Sequence, residues 1–383
     1  MLAALRAALE RAPRLAPELD AVPFVGGLVG ATGYGTARRF ERLPGEVGSR
    51  PDAIYTAPHS ALVFDHVTRR AALLHDGPES ERAALRKEII RALRGPIPDR
   101  PRGVRHSAPD PSIARSRFLE TVERGKREIT AGEVFQIVLS VRFEGQCTLT
   151  PFEAYRALRL LNPSPYMYFC EFDDTAVVGS SPEALVRLEG REAFLRPIAG
   201  TRPRGEDAAG DRALERELLA DPKEAAEHVM LVDLARNDLG RVAVTGSVRV
   251  EPYRSVERYS HVMHIVSGVR GVLAPERDAF DLFAASFPAG TVVGAPKIRA
   301  MELIDELEPV PRGFYAGTVG YFGHGGAMDQ AIAIRTIVFR GDTYSYQAGA
   351  GIVADSVPER EHDEVLAKSA ALGAALALAE EEQ

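Results

Sequence analysis

Cysteine is almost missing from this chain of 383 residues: Cys147 and Cys170 are the only two. That excludes a disulfide framework and a four-cysteine zinc site, and it fits a reducing cytoplasm. Long apolar runs are missing as well, none approaching the ~20 residues of a membrane span. Met1 to Leu19 is interrupted by Arg6, Glu10, Arg11, Arg14 and Glu18, so no signal peptide is expected. Nor is positive charge gathered into a stripe. With 47 Lys and Arg against 54 Asp and Glu the net charge is −7, so neither a nucleic-acid nor a membrane partner is expected. What remains is 45% apolar residues in a chain long enough for one large core or two.

The sharpest composition shift is Arg94 to Pro111, rich in proline and arginine and without hydrophobic periodicity. It reads as a linker, 95–111, between an N-terminal part, 1–94, and a larger part, 112–383. The first part offers an N-terminal helix, a glycine-rich stretch from Gly26 to Gly35, a strand Ala61 to His66 and a helix from Glu79 to Leu93. In the second, helices are predicted over Ser112 to Ala131, Asp211 to Asn237, Pro296 to Glu306 and up to about Glu380. Strands are predicted over Glu133 to Phe143, Tyr166 to Glu171, Ala176 to Ser180, Ala184 to Leu188, Tyr315 to Phe322, Ala331 to Phe339 and Thr343 to Ala348. Runs of strands and runs of helices without regular alternation favour an α+β fold.

Two acidic segments stand out, Asp221 to His228 and Glu359 to Lys368, each opening a predicted helix. In each, two carboxylates lie three residues apart, Glu224 with Glu227 and Glu361 with Glu364, and so share a helical face. Brought together, the two faces would make a four-carboxylate cage. Like charges about 4 Å apart repel by roughly 4 kcal/mol at an effective dielectric near 20, so such a cage asks for a cation, and oxygen-only donors point to a hard ion such as Mg2+. From spacing alone two solvated helix faces are the commoner outcome, since E-x-x-E is frequent on exposed helices. Asp221 is a natural N-cap with Pro222 at N1, and Ser356 to Glu359 reads as a capping box for the last helix.

Other segments imitate known sites. Gly349 to Ala354 satisfies G-x-G-x-x-A, but Asp355 to Pro358 interrupts the helix a dinucleotide site needs. Gly290 to Lys297 has Ala295 where a P-loop has glycine, and no Ser or Thr follows the lysine. Its glycines, and Pro296 at a helix's first position, still leave backbone N–H groups free for a carboxylate. His261 and His264 suggest zinc only weakly, because in a strand they point to opposite faces.

The motifs Phe135-Gln136, Gly179 to Glu183, Arg196 to Gly205, Asp221 to His228, Val232 to Leu239, Phe287 to Thr291, Ala333 to Thr336 and Ala348 to Ser356 stand in one order along the chain. Together they resemble the chorismate-utilising enzymes, most closely the large subunit of anthranilate synthase, over about Ser112 to Leu372. The resemblance implies two large antiparallel β-sheets packed as a sandwich with helices outside, and a Mg2+-dependent conversion of chorismate and ammonia to anthranilate and pyruvate. By motif it implies Glu227 and Glu364 as metal ligands with Glu224 and Glu361 close behind. It makes Glu183 the acid that protonates the departing C4 hydroxyl, and His264 a participant in loss of the C2 proton and pyruvate. Tyr315, Arg335, Gly349 and Lys368 would hold the enolpyruvyl carboxylate, with Thr291 near the substrate and Gln136, Ala199, Gly200 and Thr201 lining the site.

Two positions discriminate within the family. Members that use water resemble each other in having a lysine where this chain has Gln136, and an amide cannot serve as that base. Members that make aminodeoxychorismate commonly carry a nucleophilic lysine where this chain has Ala199. Both point to ammonia as nucleophile; an enzyme stopping at 2-amino-2-deoxyisochorismate is the nearest rival, and a non-catalytic homologue is disfavoured by the intact acidic and basic residues. No glutaminase-type cysteine turn is recognisable, so a separate glutamine amidotransferase subunit, and hence a hetero-oligomer, is expected. Of the family's tryptophan site only the wall with Pro165, Tyr166 and Met167 is recognisable, so feedback by tryptophan is expected to be weak.

Overall fold

Continuous apolar runs build the centre of the molecule, whose computed structural model describes residues 1–19, 22–44, 53–96, 103–259 and 262–381. Strand Gln136–Gln146 buries Ile137, Val138, Leu139 and Val141 in succession, the pattern of a strand covered on both faces. It pairs antiparallel with Thr343–Ile352 along that strand's whole length, from Thr343 opposite Gln146 to Ile352 opposite Ile137. Around this pair runs a seven-stranded sheet in the order Gly294–Ala295, Gln136–Gln146, Thr343–Ile352, Thr336–Arg340, Thr175–Ser181 and Tyr166–Phe172, with Asp110–Pro111 also pairing onto Gln136–Gln146. An eight-stranded sheet is ordered Arg249–Val250, Val269–Val272, Glu192–Leu195, Ala184–Glu189, Met328–Ile332, Thr318–Gly323, Gly27–Thr32 and Ala53–Thr56. Ile137 and Leu139 of the first sheet and Val186, Leu188, Phe322 and Met328 of the second belong to one apolar cluster, so the two large antiparallel sheets share a core.

The last helix, Pro358–Glu381, buries Val365, Ser369, Leu372, Leu376 and Ala379, a helical stripe that lies against Thr343–Ile352 and against helices Arg115–Thr130 and Pro151–Leu161. A three-stranded sheet, Ile198–Pro203, Val262–Val266 and Ser255–Arg258, packs on helix Pro222–Gly240. Among the described residues no helix is long and apolar enough to cross a membrane.

Several expectations are corrected. The single helix over 211–237 is two, Ala208–Ala220 and Pro222–Gly240, because Asp221 ends one in extended backbone and caps the next. The strand over 331–339 is also two. Met328–Ile332 belongs to the eight-stranded sheet and Thr336–Arg340 to the seven-stranded one, with the crossing made through Arg335 at φ 52°. Tyr315 lies before its strand, which begins at Thr318. Pro296 is the N-cap of Lys297–Leu307 rather than its first residue. The capping box at 356–359 does not form, since Ser356 Oγ accepts the Val353 N–H instead. Within the expected linker, 97–102 lie outside the described residues, while His106 bridges to Cys147.

Candidate active site

The acidic segments sit where local chemistry places them. Asp221 Oδ1 accepts the N–H groups of Lys223 and Glu224 at 2.9 and 3.2 Å, which satisfies two of the helix's orphan donors and sets Glu224 and Glu227 in its first turns. Arg202, from Ile198–Pro203, donates to Asp221 at 2.9 Å, to Glu217 at 2.9 Å and to Glu224 at 3.3 Å. Gln136 Nε2 donates to Glu227 Oε1 at 3.4 Å. Burial raises the pKa of Glu227, and the charges of Glu224 and Glu364 push the same way. On the last helix Lys368 Nζ lies 2.7 Å from Glu364 and donates to the Gly349 carbonyl at 3.1 Å. Burial also raises Glu361, with Glu364 adding to it and the Ser356 hydroxyl opposing.

The two acidic faces therefore feel one another, but they do not close into the expected cage. Among the described residues no three His, Cys, Asp or Glu side chains stand close enough to hold a metal together. Glu224 and Glu364 are each paired with a cation of the chain itself, Arg202 and Lys368. The donor set is all oxygen, and Glu227 and Glu361 are desolvated carboxyls crowded by like charge. That chemistry fits a hard divalent cation.

Glu183 lies in the short connection between Thr175–Ser181 and Ala184–Glu189, where its carbonyl accepts the Ile332 N–H and its own N–H donates to Ser181 Oγ at 3.3 Å. The Thr291 hydroxyl donates to Glu183 Oε1 at 3.0 Å. Burial pushes the carboxyl up to about 7 against the opposing effects of Thr291 and the Lys368 charge.

Beyond the acidic face, Gly200 occupies a bulge in Ile198–Pro203 at φ 67°, a conformation that favours glycine. A Cβ there would stand 3.1 Å from Glu224 Oε2. The Gly200 carbonyl accepts from His264 Nδ1 at 3.2 Å, and Thr201 Oγ1 lies 2.9 Å from the same nitrogen. A proton on Nδ1 leaves Nε2 with its lone pair free. Burial, the Gly200 carbonyl opposing it, and then the Arg335 charge hold the imidazole pKa below its ordinary value. Ala199 beside it is buried and has no functional group.

Tyr315 and Gly349 touch closely: a Cβ on Gly349 would lie 2.7 Å from the Tyr315 hydroxyl. Behind Tyr315, the buried Arg312 donates to Glu308 through Nη2 at 2.7 Å and Nε at 2.9 Å, and Glu308 accepts from Ser140 N and Oγ at 2.8 and 2.6 Å. Arg335 is half-buried, and burial lowers its pKa. Among the described residues no carboxylate lies within ion-pair distance of its guanidinium.

Tyr166 and Met167 begin the edge strand of the seven-stranded sheet, Pro165 lies just before it, and the Tyr166 hydroxyl engages Asp329 rather than any residue above. His261 lies outside the described residues. The sequence reading passed over Arg202, the Arg312–Glu308 pair and a buried pair in which Lys297 Nζ donates to Asp238 at 2.8 Å. Asp238 does fall within a motif that carries the resemblance, and Lys297 closes the segment rejected as a P-loop. That lysine is spent on Asp238 and the Ser286 carbonyl and faces no external anion. A concavity of about 550 Å3 beside Arg117, Arg124 and Glu306 includes none of the site residues.

Two large antiparallel sheets that share one core, with two acidic helix starts outside them, set the class of fold. Residues 2–373 match the model of the chorismate binding enzyme family, and the chain belongs to that family. It is 48% identical over 381 residues to the anthranilate synthase component 1 of Thermus thermophilus, covering 98% of this chain and 81% of that one. The Streptomyces coelicolor protein of the same name is 48% identical over 399 residues, covering 99% of this chain and 78% of the other. In structure the chain is similar to anthranilate synthase component I from Streptococcus pneumoniae, with a TM-score of 0.85, 39% identity, and coverage of 97% of this chain and 85% of that one.

Proposed function

We infer that this chain is the chorismate-using component of an anthranilate synthase, working in the cytoplasm in tryptophan biosynthesis. The observation that carries the reading is Glu183, a carboxyl shifted to about 7 beside Thr291 and within the field of Lys368. Ammonia forms a bond to C2 of chorismate, the ring double bonds shift, and the C4–O bond breaks. Glu183 gives its proton to the departing oxygen, which leaves as water. Nε2 of His264, left free by the Nδ1 contact with the Gly200 carbonyl, then takes the C2 proton as the enolpyruvyl group leaves as pyruvate and the ring becomes aromatic. Arg335, Lys368, the Tyr315 hydroxyl and the backbone at Gly349 would hold the enolpyruvyl carboxylate, with Thr201 steadying His264. Glu227, Glu364, Glu224 and Glu361 would hold Mg2+, which when bound supplies positive charge for the ring carboxylate. Gln136 orients Glu227 and has no basic group with which to activate water, and Ala199 offers no nucleophile.

Ammonia would come from a glutamine amidotransferase subunit in a hetero-oligomer. The test is fluorescence of anthranilate from purified chain, chorismate and Mg2+. Product is expected with ammonium salts and not with glutamine. Accumulation of 2-amino-2-deoxyisochorismate without anthranilate would refute the second step, and no consumption of chorismate would refute the whole.

A further inference from the structure

A small pocket has Glu183, Thr291, Asp238 and Ser286 in its lining, with Leu234 and Ala235 of helix Pro222–Gly240 among its apolar walls. Its volume of about 40 Å3 exceeds the roughly 10–15 Å3 that one water requires, and its polar groups suffice to hydrogen-bond one. Asp238 is 4% exposed and reaches the pocket with one oxygen, Oδ2, already held by the Lys297 ammonium at 2.8 Å. The reaction described above does not use this buried ion pair.

We propose that Asp238, held by Lys297, returns a proton to Glu183 through water in this pocket after each turnover. The inference rests on Glu183 being the acid of the reaction. Each turnover transfers the Glu183 proton to the C4 oxygen and leaves a carboxylate, while bound substrate covers the face from which that proton departed. In the relay the protonated form of Asp238, reached by proton uptake at the ion pair, gives its proton to the pocket water, which passes one of its own to Glu183. Asp238 remains as a carboxylate paired with Lys297 and regains a proton from bulk solvent. Transfer between the two groups is close to balanced, since burial pushes Asp238 up to about 6 and Glu183 up to about 7.

The test compares ammonium-dependent turnover and its solvent deuterium isotope effect in the wild type and three variants. In Asp238→Asn combined with Lys297→Met the relay is lost without leaving a buried charge unpaired. Ala235→Val keeps the pair and fills the water space. Glu183→Gln tests the underlying reading. The expected result is a fall in kcat of about tenfold or more in the double variant and in Ala235→Val, with KM for chorismate unchanged, a larger isotope effect, and an inactive Glu183→Gln. Wild-type kcat and isotope effect in the double variant, with Glu183→Gln inactive, would overturn the relay alone. A Glu183→Gln whose kcat stays within about tenfold of wild type would overturn the acid assignment itself. Should the double variant not fold, Ala235→Val decides by the same two outcomes.

Discussion

Replacing Glu183 by Gln tests the most consequential electrostatic feature of the site. The carboxyl is raised from 4.5 to about 7, chiefly by burial, and at about 1.4 kcal/mol per pH unit this corresponds to about 3 kcal/mol of proton linkage. The folded state binds the proton more tightly than the unfolded chain does. The associated stability is therefore fully present below about 4.5 and is lost as pH rises through about 7. Glutamine keeps the shape and has no such proton. Between pH 5 and pH 8 the wild type should lose about 2.5 kcal/mol relative to Glu183→Gln, read as a fall of the wild-type urea midpoint relative to that of the variant in metal-free buffer. Wild-type turnover should fall as pH rises above about 7, and the variant should lose ~100- to 10,000-fold in kcat at every pH. Parallel stability profiles across that range would show that the carboxyl is not held neutral by burial, and the acid assignment would lose its physical basis.

Glu227→Ala and Glu364→Ala are each expected to abolish turnover and to weaken Mg2+ binding in calorimetric titration, and unchanged binding would remove the metal assignment. Arg335→Met should raise KM for chorismate about 10- to 100-fold through loss of one charge-assisted contact, with little change in the melting temperature, since no carboxylate pairs with the guanidinium among the described residues. Glu308→Ala leaves Arg312 buried without its bidentate partner and should cost about 3–5 kcal/mol in denaturant unfolding; a loss below about 1 kcal/mol would mean that solvent reaches the arginine.

What could be read from the sequence was what neighbouring residues decide among themselves. Asp221 followed by Pro222 fixes a helix start whatever surrounds it, and the spacing of Glu224 with Glu227 places both on one face. The crossing at Arg335 was hidden because the segment from Ala331 to Phe339 is apolar except at Arg335 and Thr336, and an apolar run does not say which sheet a strand joins. Lys297 misled for a similar reason. A lysine is expected at the surface, and its partner Asp238 is 59 positions away. The Ser356 capping box failed because Val353 N–H competes locally for the same hydroxyl. The pairing of Glu224 with Arg202 and of Glu364 with Lys368 depends on which cations the fold brings within reach, which spacing on one helix does not reveal.

The assignment of acid and base follows from how burial acts on groups of opposite charge type. Desolvation penalises whichever form is charged, so it raises a carboxyl and lowers an imidazole. Glu183 has the Lys368 charge pulling it down, yet burial wins and leaves it near 7 with only a hydroxyl as hydrogen-bond donor. His264 has the Gly200 carbonyl pulling it up, yet burial, helped by Arg335, wins in the other direction. Near pH 7 the protein thus holds a carboxyl near its titration midpoint and an imidazole shifted toward its neutral form. A reaction that first expels hydroxide from carbon and then removes a proton from carbon needs those two states in that order. Exchanging the roles would require a charged imidazole and an ionised carboxylate, the two forms that this degree of burial disfavours.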